Sequence, residues 1–339
     1  MGTSYSIVAL PLWWREGSAW YGKAGFETAA KRANWEKTFP SLKGYKYLVT
    51  GANSGIGYEC AKKFAELGAE VHMVCRNEER GRKSLEQIKS ETKNENVILH
   101  LCDISDVPST KAFAQSFLSQ YKSLNGLINN AGVVMNERKL NSTGTEICFA
   151  TAMGGTFLLT NLLMPALKTA AGAGGEAQRI SRVVNVSSGG MYLAKYEARY
   201  ARKGAYEGKY DGLYAYVQAK RAQVLLTQKF AKLFHGSGVT FSSYHPGWAS
   251  SPGVKTGQMS WFYEKEGDRL RSEWQGADTA VWLSTSMDPD ITSEENMGAF
   301  WFDREVQKIC FWGSFTSNTE QDVEDLWNFL ADLYGVPGK

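Results

Sequence analysis

Residues 45–57 read YKYLVTGANSGIG: β-prone residues up to Thr50, then Gly51, Gly55 and Gly57 within seven positions, then a helical pattern from Ile56 onward. The short apolar run bounded by a turn signal predicts a buried strand over residues 45–50. Glycines at these positions let the backbone turn sharply and approach a pyrophosphate closely. The helix opening behind them offers free N–H groups and the positive end of its dipole to an anion. A glycine triplet alone is a weak signal, but between a first strand and a first helix it has the context of a dinucleotide-binding fingerprint.

Outward from this turn, the sequence alternates. Strands are expected over 70–75 (EVHMVC), 97–102 (VILHLC), 127–130 (LINN), 182–187 (RVVNVS), 239–244 (VTFSSY) and 299–302 (AFWF). Helices are expected between them over 56–67, 77–92, 107–121, 146–168, 214–233 and 276–285. Strands spaced by helices imply βαβ units and a parallel sheet covered on both faces. Right-handed crossovers then leave an α/β Rossmann fold, a doubly wound parallel sheet in one enlarged domain, residues 44–305. An aromatic arm (1–43) precedes it and a helical extension (306–339) follows, its last helix expected to open at a capping box, Ser317-x-x-Glu320.

Composition narrows the function classes. The 38 basic and 35 acidic side chains of the 339 residues leave a net charge of only +3, which argues against charge-driven nucleic-acid binding. No apolar run approaches the length of a transmembrane helix, and the apolar stretch at residues 7–14 lacks the flanks of a signal peptide. The five cysteines are odd in number and contain no C-x-x-C pair. This points away from a disulfide framework and toward a reducing intracellular compartment, either cytoplasmic or peripheral on an organelle membrane such as the mitochondrial one. The four histidines show no metal-ligand spacing, so no metal site is expected.

Two further segments carry chemistry. The second strand ends in Val74-Cys75-Arg76 with no acid to bind an adenosine 2′-hydroxyl, and Arg80 and Arg82 follow. A guanidinium there suits a 2′-phosphate, so NADP(H) is expected over NAD(H). Tyr216-Val217-Gln218-Ala219-Lys220 places a phenol and an ammonium on one helix face. The cation favours the phenolate and is expected to bring the phenol toward the working pH range. Tyr58-x-x-x-Lys62 has the same spacing but lies in the pyrophosphate helix. Tyr216 instead follows the fifth strand, whose Ser187-Ser188 end lies on the same carboxyl edge as the glycine loop.

Residues 50–57, Asn129-Asn130-Ala131-Gly132, Asn185-Val186-Ser187-Ser188, Tyr216-x-x-x-Lys220 and Pro246-Gly247 resemble, in order and spacing, the short-chain dehydrogenase/reductases over residues 44–305. Ser188-Gly189-Gly190-Met191, His245-Pro246-Gly247-Trp248-Ala249 and Gly276-Ala277-Asp278-Thr279-Ala280 are similar to retinol-dehydrogenase-like members, in particular the dehydrogenase/reductase SDR family member 12 branch. The resemblance implies that Gly51, Gly55 and Gly57 line the pyrophosphate, with Asn53, Ser54 and Ile56 in the same cofactor loop. It implies Asp103 at the adenine amino group, and Asn130, Ala131 and Gly132 on the adenosine side. Ser188 would orient the substrate, with Ser187 one position early. Tyr216 would exchange a proton with the substrate, Lys220 would hold the nicotinamide ribose and tune Tyr216, and Pro246 and Gly247 would flank the nicotinamide.

One position departs from the resemblance. Gly155, Phe157, Leu159 and Thr160 keep the frame of the family's long helix, but the family's Asn is Ala152 here. That Asn's task is to kink the helix locally and hold a water next to the lysine; alanine has no side-chain hydrogen bond to give. The implied activity is an NADP(H)-dependent oxidoreductase interconverting an apolar ketone or aldehyde and its alcohol. Tyr192, Tyr196, Tyr200, Tyr206, Tyr210, Tyr214 and residues 259–263 (MSWFY) are expected either to supply apolar walls for such a substrate or to form the ordinary core of a lid. The alternative is a dinucleotide-binding structural subunit or sensor of a larger organellar membrane complex with little turnover, which Ala152 and the tryptophan-rich tails favour. Trp13, Trp14, Trp20 and Trp35 precede the first strand, and the other seven tryptophans lie at or after residue 248. Tryptophans favour interfaces. The arm is therefore expected on this chain's own C-terminal third or on a partner, in a homo-oligomer or a heterologous assembly.

Overall fold

The computed structural model describes residues 5–35, 39–172, 181–198, 210–255 and 259–336; Tyr200 and Tyr206 lie outside them. Eight strands form one sheet: β1 (Lys46–Thr50), β2 (Glu70–Cys75), β3 (Val97–Leu101), β4 (Gly126–Asn129), β5 (Ser181–Val186), β6 (Val239–His245), β7 (Phe300–Phe302) and β8 (Glu305–Gln307). Their order is β3-β2-β1-β4-β5-β6-β7-β8. β1 to β7 run parallel, and β8 is antiparallel to β7. The chain reverses its direction of travel across the sheet between β1 and β4, the switch point where such sheets open a crevice at their carboxyl ends.

The helices are α1 (Ala9–Glu16), α2 (Lys23–Arg32), α3 (Gly55–Glu66), α4 (Glu78–Thr92), α5 (Val107–Gln120), α6 (Ile147–Met153), α7 (Thr160–Gly172), α8 (Gly212–Leu233), α9 (Pro252–Lys255), α10 (Ser260–Glu266), α11 (Glu273–Thr285), α12 (Pro289–Thr292) and α13 (Glu320–Tyr334). Successive strand residues point to opposite faces. Leu48, Leu127 and Val183 therefore pack with Phe157, Phe230 and Trp327 under α5 to α8 and α13. Val49, Ile128 and Val184 pack with Phe64, Val281 and Trp301 under α3 and α11. Near-continuous apolar strands are what burial on both faces requires.

Several sequence expectations need correction. The sheet has an eighth strand, joined to β7 by Asp303 and Arg304, both at positive φ (51° and 61°). Two-residue hairpin turns of this hand usually carry Asn-Gly or Asp-Gly; here Arg271 and Asp278 hold the two residues instead, with Asp303 on Arg271 and Arg304 on Asp278. The capping box of α13 is Thr319 with Asp322, not Ser317 with Glu320. α11 starts at Glu273, because Ser272 and Gln275 form a capping box ahead of the expected start. Ile147–Gly172 is long and apolar enough to cross a membrane by length and composition, although no uninterrupted apolar run signals it. It lies inside the protein, with 83% of its most apolar window buried.

The N-terminal arm folds onto its own chain. α1 and α2, joined by a π-helical turn (Gly17–Tyr21), carry Trp13, Trp14 and Tyr21 into a cluster with Trp248, Phe262, Leu270 and Phe302. The Trp248 N–H donates to Tyr21 O at 2.7 Å. Arg271 donates to Tyr21 O and Trp20 O, each at 2.9 Å, and grips Asp303 with both ends of its guanidinium at 2.5 and 2.7 Å. At the other end of the chain, Arg221 of α8 donates to Ile309 O, Thr316 O and Asn318 Oδ1, tying down the segment before α13.

Candidate active site

The glycine loop lies at the carboxyl end of β1, and its backbone explains its composition. Gly51 sits at φ 67°, a left-handed conformation open to glycine at little cost. A Cβ on Gly57 would lie 2.4 Å from Asn130 Nδ2 and 2.5 Å from Gly51 O. Asn130 is the loop's anchor: Nδ2 donates to Thr50 O at 2.9 Å and Gly51 O at 3.3 Å. The N–H groups of Asn130 and Ala131 both donate to Thr50 Oγ1 at 3.0 Å. Ser84 holds Asn53 O at 2.8 Å.

The helix ends around the sheet differ in one telling respect. Asn77, Asp106, Glu146, Asp211 and Ser272 each cap the N-terminus of their helix with a side-chain oxygen. Ser54, at the N-cap of α3, is exposed and makes no such bond. The first N–H groups of α3 thus carry no side-chain cap, with Ser251 and Pro252 standing across from Gly55. A pyrophosphate fits that cradle, with Gly51, Asn53, Ser54, Gly55, Ile56 and Gly57 around it.

At the neighbouring strand ends, Arg76 is exposed and its Nη1 lies 3.8 Å from Asp103 Oδ2. Asp103 Oδ1 accepts from the Ser105 N–H and hydroxyl, leaving Oδ2 on the Arg76 side. Arg82 is engaged by Glu78 at 2.7 Å. Arg80 lies close enough to the Cys75 thiol to favour its thiolate, although burial still raises Cys75 to about 11. Arg76 and Arg80 therefore both stand by the carboxyl end of β2.

β5 and α8 bring Ser188, Tyr216 and Lys220 together. The Ser188 hydroxyl lies close enough to the Tyr216 phenol to favour its phenolate, and it accepts from the Gly190 N–H at 3.1 Å. Ser187 points elsewhere, donating to Lys220 O at 2.8 Å and so pinning α8 to β5. Lys220 Nζ sits 5.5 Å from the centre of the Tyr216 ring, near Gly132, where an added Cβ would lie 3.4 Å from it. Its bonds go to Val186 O at 2.6 Å and Gln223 Oε1 at 2.9 Å. Burial pulls Lys220 down to about 8. Burial also pushes Tyr216 up to about 12, against the opposing pull of Ser188. The sequence reading expected the lysine to lower the phenol. In this geometry Nζ turns to Val186 and Gln223, and desolvation outweighs its charge. The look-alike Lys62 pairs with Glu91 at 2.9 Å, on the outer side of α3.

Sequence reasoning missed two residues that shape the site. His245 ends β6, and its Nδ1 accepts from the Gly189 N–H at 2.9 Å and the Gly247 N–H at 3.2 Å. It thereby ties the loop after Ser188 to the Pro246-Gly247 loop. Burial and the Arg271 charge hold it well below the ordinary histidine range, so it stays a neutral acceptor. Its adjacency to Pro246-Gly247 was the available signal. Gln223, one helical turn after Lys220, was the other. Ala152 is buried in the core under α5 to α8. Just beyond it the helix widens into a π segment (Gly154–Leu159), where Gly154 approaches Ile104 O so closely that a Cβ would be 1.9 Å away.

Comparison with known proteins gives the family of the chain. Residues 46–258 match the short chain dehydrogenase family. The chain belongs to the short-chain dehydrogenase/reductase family. It is 38% identical to human dehydrogenase/reductase SDR family member 12, covering 97% of this chain and 98% of that protein. It is 35% identical to human retinol dehydrogenase 11, covering 87% of each. The solved structure of an NADPH-bound carbonyl reductase from chicken fatty liver has a TM-score of 0.59 at 24% identity, covering 78% of this chain and 99% of that one. As a short-chain dehydrogenase/reductase, the protein has an oxidoreductase's NAD(P)-binding Rossmann fold. The candidate trio lies where β5 and α8 meet the cofactor crevice, inside the stretch the family match spans.

Proposed function

We propose that the protein is an NADP(H)-dependent oxidoreductase that interconverts an apolar ketone or aldehyde and its alcohol, with Tyr216 as acid and base. The observation that carries this reading is the meeting of Ser188, Tyr216 and Lys220 on the same sheet edge as an uncapped helix N-terminus. When bound, the nicotinamide supplies or accepts the hydride. Tyr216, protonated well past neutral pH, donates its proton to the carbonyl oxygen during reduction. Ser188 orients that oxygen. Lys220 in its charged form holds the ribose hydroxyls and stabilises a phenolate left on Tyr216. Pro246 and Gly247 flank the ring, and Asp103, Asn130, Ala131 and Gly132 surround the adenosine. The name retinol dehydrogenase among the relatives supports an apolar substrate, whereas Tyr192, Tyr196 and Tyr214 pack into core clusters instead of forming its walls.

Arg76 sets the cofactor preference in this reading. Arg76→Ala should weaken NADPH binding by about 1.5–3 kcal/mol, the scale of a hydrogen bond to a charged group, and leave NADH unchanged. Equal losses for both, or tighter NADH binding by the unaltered protein, would refute the preference. With retinal as the probe, NADPH consumption should fall as pH rises through about 8, where Lys220 loses its charge. The second reading, a cofactor-binding subunit with little turnover, draws on Ala152. It would be favoured by NADPH binding with no NADPH consumption across a panel of apolar carbonyls.

A further inference from the structure

Gln223 and Thr156 form a two-link brace behind Lys220. Gln223 Oε1 accepts from Lys220 Nζ at 2.9 Å, and Gln223 Nε2 donates to Thr156 Oγ1 at 2.8 Å. All three side chains are buried, with Gln223 at 1% and Thr156 at 0% exposure. An amide can turn by half a revolution and present its NH2 in place of its oxygen. Toward an ammonium that would exchange an acceptor for a donor. The ammonium settles the choice, because it can only donate and so needs Oε1; Thr156 Oγ1 then accepts from the NH2. It does so from the π segment, where the widened helix faces α8.

We infer that Gln223, braced by Thr156, is a positioning residue that fixes the direction and charge of the Lys220 ammonium. An ammonium has three N–H donors. Val186 O and Gln223 Oε1 take two, and the remaining one is free toward the crevice beside Gly132 and Tyr216. The titratable groups facing Lys220 are Tyr216 on its own helix and the Cys148 thiol from α6; among the described residues no carboxylate acts on it. Two neutral acceptors, the Val186 carbonyl and the Gln223 amide, thus offset part of the burial cost of the cation, and only the amide is a side chain. This inference rests on the oxidoreductase reading for its catalytic meaning, but not for its test.

The test is a titration of the Lys220 Nζ by NMR on 15N-lysine-labelled protein, with the signal assigned by its loss in Lys220→Met. Gln223→Leu should lower the Lys220 midpoint by about one to two pH units, the scale of a lost hydrogen bond to a charge. Gln223→Glu should raise it. Gln223→Met with Thr156→Val removes both partners together, avoids an unpaired buried hydroxyl, and should shift the midpoint as Gln223→Leu does. The basic limb of NADPH affinity should move in the same directions. With retinal, Gln223→Leu should lower kcat about tenfold at pH 7.5, with KM for retinal little changed. Midpoints that coincide in all four proteins would overturn the inference. Absence of NADPH consumption by the unaltered protein would instead count against the oxidoreductase reading, while the NMR midpoints still decide this one.

Discussion

Two of the turns at the carboxyl edge of the sheet that hold backbone at positive φ are built in opposite ways. The turn after β1 uses Gly51 and Gly55, at 67° and 60°. The turn after β7 uses Asp303 and Arg304, at 51° and 61°. The first needs no outside help with its conformation, because glycine adopts it at little cost. In the second, side chains that disfavour the conformation are held there by buried ion pairs, Asp303 to Arg271 and Arg304 to Asp278. One turn leaves its surface bare for a ligand. The other spends its side chains on tertiary contacts and thereby connects the sheet edge to the N-terminal arm through Arg271.

The difference can be broken at either turn. The largest effect is expected at Arg271. Arg271→Met leaves Asp303 buried without its partner and frees the carbonyls of Trp20 and Tyr21, at a cost of about 3–5 kcal/mol. Thermal unfolding should show a clear fall in Tm, while NADPH affinity measured below that Tm holds. An unchanged Tm would mean that the turn and the arm do not depend on this clamp. Gly57→Ala should do the reverse. Its Cβ would press on Asn130 and the Gly51 carbonyl, an overpacking cost of about 1–3 kcal/mol. It should appear mainly as weaker NADPH binding in a fluorescence titration, and binding as tight as before would show that the loop has slack. The smallest effects compare two helix starts. Asn77→Ala should cost about 1 kcal/mol, the usual value of an N-cap, and Ser54→Ala close to none, because Ser54 caps nothing in α3. Denaturant midpoints report both, and a full cap's worth lost in Ser54→Ala would contradict an N-terminus kept for a ligand.

The same contrast explains what the sequence revealed. Gly51, Gly55 and Gly57 are legible because a backbone conformation and a close approach demand that residue type. The alternation of Leu48 with Val49 and Leu127 with Ile128 is legible because each face of the sheet is buried. Tyr216 and Lys220 are legible because a helix brings positions four apart to one face. The turn at Asp303 and Arg304 looks like ordinary charged surface, since its partners lie 32 and 26 positions away. Arg271 sits in the run GDRLRSE at residues 267–273, which reads as solvated until the arm covers it. Gln223 is hidden for a similar reason: a polar residue on a core helix has no meaning until Thr156 is seen across from it.

In the proposed reaction Tyr216 exchanges the proton with the substrate oxygen at the edge of a dinucleotide crevice. The most direct measurement follows NADPH absorbance with retinal for the unaltered protein and Tyr216→Phe, alongside the NADPH dissociation constant of each. The account predicts that turnover falls at least about a hundredfold in Tyr216→Phe, the typical contribution of a positioned acid or base, with NADPH affinity kept within about twofold. Turnover preserved in Tyr216→Phe at equal NADPH affinity would contradict it.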